Sequence, residues 1–144
     1  MARGAFGVVV NRRLRQGSLQ MLLDAGNIPP PPAAASIRLY AGGPVQPQRA
    51  FVLHSADYSG DSTIALGDSL AFSTGPDVFE ALGTRRGPKN ALVILGYAGW
   101  APGQLDSEIA RGDWLLAPAK APYIFDDDPD TAWERVLAVA GIPL

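Results

Sequence analysis

The sequence predicts an α+β domain, and three observations carry that reading. Short runs of apolar and β-branched residues recur along the chain, each closed by Gly, Asn or Pro, as strands are. Short amphipathic stretches with recognisable start and stop residues stand between them, as helices do. The chain has 144 residues with 47% apolar content. A chain of that size buries roughly 68–70% of its extended surface, enough for one core without metal or disulfide staples. The expected organisation is therefore one domain over residues 1–144.

Taken in order, residues 6–10 read as a buried strand closed by Asn11, Arg12 and Arg13. Ser18 offers a cap to a short helix over residues 19–25, where Leu19, Leu22 and Leu23 share a face and Gly26 stops the run. Residues 28–35, with prolines at 29–32, form an extended connector. Residues 37–41 are a second strand that ends in the turn Gly42, Gly43, Pro44, and residues 50–54 are a third. Residues 62–65 and 70–73 pair as a hairpin around Gly67 and Asp68. Thr74 caps a helix over residues 75–82, with Asp77 in its positive first turn.

Residues 90–97 form the most apolar run and read as a central strand buried on both faces. Residues 98–101 turn into a helix with Pro102 at or near its first position, with Leu105 and Ile109 inward and Asp106 and Arg111 outward, and Gly112 ends it. Residues 114–117 return as a strand and residues 118–128 are loop. Pro129 opens a last helix whose stripe of Trp133, Val136, Leu137 and Ala140 predicts Trp133 as a core anchor. The chain holds 16 Gly and 13 Pro, about a fifth of its residues against a usual ~12%, which fits a turn-rich fold.

Function classes narrow by chemistry. With no Cys, there is no thiol nucleophile, thiolate metal site or disulfide, and the cytoplasm is the expected compartment. No apolar run approaches the ~20 residues of a membrane span, so no membrane partner is expected. The net charge is −2. Direct DNA binding normally draws its affinity from a basic excess and is not expected here. The clusters Arg12, Arg13, Arg15 and Arg85, Arg86, Lys89 read as solvated loops.

His54, Ser55 and Asp57 supply the residue types of a hydrolase triad, but strand neighbours point to opposite faces, so His54 and Ser55 should not meet. The acidic run at residues 126–130 lacks the spaced ligands and central Gly of a calcium loop, and no metal or cofactor site is read. Gly42, Gly43 and Pro44 either present backbone N–H groups to an anion or simply make a tight turn. In residues 99–108, Trp100 with Gly103, Gln104 and Glu108 lines a cleft on one reading; on the other, Trp100 packs in the core and Gln104 caps its own helix.

Two stretches go further: residues 39–46 (LYAGGPVQ) and residues 96–109 (GYAGWAPGQLDSEI), followed by Trp114 and preceded by residues 7–12 (GVVVNR). Their order and content resemble the signature blocks of the AlgH/YqgE family from about residue 4 to 139. The resemblance implies a bifurcated, barrel-like, mostly antiparallel sheet flanked by short helices, in a bacterial cytoplasmic protein. Family members carry the label of transcriptional regulator without established biochemistry, and they lack an obvious DNA-binding module.

The resemblance also implies an N-terminal segment that here has no counterpart before residue 7. The strand near the start then needs a neighbour from such a segment, from a second subunit or from elsewhere in the chain. The expected activity is that of a non-enzymatic regulatory or binding protein for a protein partner or small ligand. The alternative is an enzyme of unrecognised type with a pocket near residues 99–108. The expected surface combines Gly42, Gly43 and Pro44 with Trp100, Gly103, Gln104 and Glu108.

Overall fold

The computed structural model describes residues 4–14, 38–82, 84–125 and 129–138. Along them run β1 (Ala5–Gly7), β2 (Arg38–Ala41), β3 (Val45–Ser55), β4 (Thr63–Leu66), β5 (Leu70–Ser73) and α1 (Pro76–Ala81). They are followed by β6 (Ala91–Trp100), α2 (Gln104–Ala110), α3 (Ala121–Phe125) and α4 (Pro129–Leu137). The helix expected over residues 19–25, the proline connector and most of the acidic run lie outside the described residues.

The most apolar run becomes the axis of the sheet. β3 lies antiparallel along one edge of β6, from Val45 opposite Tyr97 to His54 opposite Ala91. The other edge is divided: β2 runs parallel beside Leu92–Leu95, and β1 runs antiparallel beside Ala98–Trp100. Beyond β3 the β4–β5 hairpin extends the sheet, giving the order β1-β6-β3-β5-β4 with β2 as its only parallel member among the described residues. The fold is α+β, a mostly antiparallel sheet curled into a half-barrel with a few short helices.

Side-chain alternation sorts the core onto two faces. Ala50 and Val52 of β3 join Leu39, Val93 and Leu95 beneath Val78, Phe79 and Leu82 of the α1 region. Phe51 and Leu53 face the other way, with Tyr40, Leu70, Phe72, Leu92, Ile94 and Phe125 of α3. Leu92–Leu95 are thus buried on both faces, as the apolar run predicts. No helix of the described residues is long and apolar enough to cross a membrane.

Several expectations are corrected. The first strand covers only Ala5–Gly7 rather than residues 6–10, because past Gly7 the chain leaves β6 and follows β2. There the Val9 N–H donates to the Gly42 carbonyl at 2.8 Å and the Leu14 N–H to the Leu39 carbonyl at 2.8 Å. The neighbours of this early segment therefore come from within the chain. Residues 98–100 do not turn but stay in β6, because β1 pairs with them. Pro102 precedes α2, whose cap is Gly103 in the left-handed region at φ 79°.

Residues 114–117 form no strand; Trp114, Leu115 and Leu116 are exposed, and α3 occupies part of the expected loop after them. Trp133 is 62% exposed and is no core anchor, because a helical stripe reports a face and not what covers it. Thr74 does not cap α1. Gly75 holds that position, and its N–H donates to Ser62 Oγ at 2.8 Å.

Candidate functional site

Gly42, Gly43 and Pro44 carry the chain from one edge of β6 to the other, since β2 and β3 flank it on opposite sides. The crossing is close enough that a methyl on Gly42 would overlap Ile94 and the Gly96 carbonyl, and one on Gly43 would overlap Tyr97. On the strand beneath, Gly96 sits at φ 75°, and a methyl there would overlap the Gly43 carbonyl. The glycines are set by this backbone crossing.

The crossing has a consequence for β3. Its register slips between Val45 and Ala50, so residues 46–49 bulge opposite Gly96, and Gln46 takes the positive φ of 46°. A bulge re-aims side chains, and strained non-glycine backbone is where functional geometry concentrates. Arg49, two residues before Phe51 and at the end of the bulge, shares the face of Phe51 by alternation. The sequence carried one unread signal for the bulge: Pro47, which removes a ladder donor and belongs at edges and bulges.

The concave face holds a hollow of about 640 Å³, lined by Phe6, Phe51, Phe72 and Tyr97 with Ile64 and Leu66 at its side. Phe6 stacks on Tyr97 with centroids 4.7 Å apart and meets Phe51 and Phe72 edge-on at 5.6 Å. Ile64 is 59% exposed and Phe6 50%, so the hollow opens outward. The Arg49 guanidinium lies 5.1 Å from the Phe51 ring centroid, a cation–π distance. A second hollow of about 680 Å³ adjoins the first and shares Arg49 and Thr74; Gln46, Gln48 and Gly75 also line it. Sequence reasoning missed this site because its rings come from β1, β3, β5 and β6, whose adjacency is tertiary.

The residues singled out between 99 and 108 form a different unit. Trp100 Nε1–H and Trp114 Nε1–H both donate to Glu108 Oε1, at 3.2 and 3.0 Å, while the indoles meet edge-on at 5.8 Å. Gln104 Nε2–H donates to Glu108 Oε2 at 3.1 Å, and Gln104 Oε1 accepts the Ala101 N–H at 3.0 Å. These donors, Trp114 first, hold the Glu108 carboxyl below the ordinary glutamate range. Trp100 also packs on Gly7. The two glycine-containing segments therefore approach the same half of β6, Gly43 at Tyr97 and Trp100 three residues on. Gly42 is buried and Gly43 partly so, which leaves Pro44 as the exposed member of that turn.

His54 and Ser55 part company as alternation requires. His54 is fully buried; its Nδ1 lies 2.7 Å from the Ser55 carbonyl and its Nε2 2.7 Å from Ser73 Oγ. A carbonyl only accepts, so Nδ1 carries the proton and Ser73 donates to Nε2. Ser73 Oγ in turn meets Thr63 Oγ1 at 2.7 Å, joining β3, β5 and β4 through one polar thread. Burial pushes the His54 pKa below its ordinary value of 6.5. The Ser55 hydroxyl turns outward to Asp57 Oδ1 at 2.6 Å. Nearby, Asp77 accepts from the Tyr58 hydroxyl at 2.6 Å and from Ser62 at 3.0 Å, which lowers its pKa. Desolvation first, then Asp77, pushes the Tyr58 hydroxyl up to about 12.

Comparison with known proteins places this geometry. A family model described as AlgH-like matches residues 1–144. A UPF0301 protein of Methylococcus capsulatus is 53% identical over 143 residues, covering 99% of this chain and 78% of the relative. A UPF0301 protein of Chelativorans is 40% identical, over 98% of this chain and 73% of the relative. Among solved structures, the AlgH protein of Pseudomonas aeruginosa matches with a TM-score of 0.77 and 39% identity, over 99% of this chain and 76% of that one. The protein DIP2367 of Corynebacterium diphtheriae, at 22% identity and a TM-score of 0.69, shares the fold. This chain belongs to the AlgH-like family, the UPF0301 proteins.

Proposed function

We propose that this protein is a non-enzymatic binding protein of regulatory type, working in the cytoplasm, whose half-barrel takes an apolar ligand into its concave face. The observation that carries this reading is the open aromatic hollow beneath Phe6, Phe51, Phe72 and Tyr97. Its size falls within the roughly 300–1,000 Å³ of small-molecule sites, and apolar walls with few polar groups are the usual lining of such sites. The buried His54–Ser73 pair supports the non-enzymatic part, because a pair with no exposed surface offers a substrate no approach. Glu108, centre of the alternative site at residues 99–108, already accepts three hydrogen bonds and so favours a structural role. A regulatory role in transcription would then run through the ligand or a protein partner rather than through DNA contact.

The test is binding of the neutral fluorophore N-phenyl-1-naphthylamine, whose emission rises in apolar surroundings. Wild-type protein is expected to enhance it saturably at micromolar concentration. Ile64→Asp puts a charge at the exposed side of the hollow, and the enhancement should fall at least fivefold with the melting temperature kept. No enhancement by the wild type, or equal enhancement by both proteins, removes the reading.

A further inference from the structure

We infer that the occupant of the hollow is a single-chain amphiphile with one anionic head group, seated against Arg49; this rests on the hollow being a binding site. The two adjoining hollows differ in character and meet at a cation. The aromatic one is lined by Phe6, Phe51, Phe72 and Tyr97, and the other mixes Gln46 and Gln48 with Pro47, Pro76 and Phe79. Arg49 and Thr74 belong to both, so a ligand spanning the pair passes a guanidinium at the point where an aromatic wall gives way to a mixed one.

Charge selects the head group. Among the described residues neither lining contains an Asp or Glu, and Arg49 is their only formal charge. Among the described residues no carboxylate pairs with Arg49; its one hydrogen bond goes to the neutral Gln46 Oε1 at 3.4 Å. A guanidinium has five donors, so most of Arg49's remain for a ligand oxygen, and the Phe51 ring beneath it limits where the group can lie. Alternation places it there: Arg49 lies two residues before Phe51 in β3, at the end of the bulge, and so shares its face of the sheet. A cation at the mouth of an apolar hollow with no acid beside it complements an apolar tail bearing a carboxylate or comparable oxyanion.

The experiment displaces N-phenyl-1-naphthylamine at pH 8 with dodecanoate, dodecanol and dodecyltrimethylammonium, each below its micelle concentration. Wild-type protein should prefer dodecanoate over dodecanol by about three- to fivefold, the upper part of the range expected for a partly exposed charge contact. It should bind the cationic amphiphile least. Arg49→Gln should bring acid and alcohol to within twofold, while Arg49→Lys keeps most of the preference, which a merely structural role for Arg49 would not produce. Equal displacement by acid and alcohol in the wild type overturns the inference while leaving the apolar site standing. Failure of the fluorophore itself to bind removes the site as well. Binding to anionic phospholipid vesicles without binding of free dodecanoate also overturns the inference, since the source would then be a membrane surface.

Discussion

At the scale of residues, the informative groups are polar ones that ended up inside. His54 is neutral because charging it would cost desolvation in a position with no exposed surface, and its neutral form is already matched by the Ser55 carbonyl and the Ser73 hydroxyl. The lowered pKa has a definite sign. Below about pH 6.5 the unfolded chain takes up a proton that the folded chain refuses, so the unfolded state binds more protons and stability falls as pH falls. The contribution is complete above 6.5 and is lost progressively down to the folded pKa. The melting temperature should therefore drop between pH 7 and pH 5, and His54→Gln should flatten that part of the profile. A profile unchanged by the substitution would show that other groups govern it.

At the scale of elements, the crossing of residues 42–44 over β6 and the helix α4 make opposite predictions. Gly96 is held at φ 75° with the Gly43 carbonyl against it, so Gly96→Ala adds both backbone strain and an overlap. Left-handed backbone costs an L-residue roughly 1–2 kcal/mol and overpacking typically 1–3, so a loss of about 3 kcal/mol is expected. Trp133 is mostly exposed, and Trp133→Ala should cost less than about 1 kcal/mol in contrast to a buried ring. Urea melts of the two variants check both; a larger loss for Trp133→Ala than for Gly96→Ala would reverse the ranking of the two elements.

At the scale of the whole molecule, net charge sets which partners are open to it. The formal charge is −2, and the described basic clusters, Arg12 with Arg13 and Arg85 with Arg86 and Lys89, lie on two short exposed segments. Phosphate-driven binding needs several cations working together, and its affinity falls steeply with salt. A random DNA duplex at 150 mM salt should show no saturable binding at micromolar protein. Micromolar affinity with a strongly negative salt slope would overturn that expectation and restore direct DNA contact as a mechanism.

Much of the fold was legible from the chain because local periodicity and backbone chemistry are local properties. The run at residues 91–97 is apolar at every position until Gly96, which only a strand buried on both faces requires, and the hairpin around Gly67 follows from turn chemistry. The separation of His54 from Ser55 follows from the period of two alone. What tertiary structure decided was adjacency. No local signal says that β2 and β1 divide one edge of β6, which is why residues 98–100 remain strand and Gly42 and Gly43 are spacers at a crossing. Nor does helical spacing say what lies opposite a stripe, which left Trp133 outside. The aromatic hollow belongs wholly to this second class. Phe6, Phe51, Phe72 and Tyr97 are far apart in the chain and converge only when the sheet curls; alternation puts Arg49 on the face of Phe51, but the other rings come to it only through that curl.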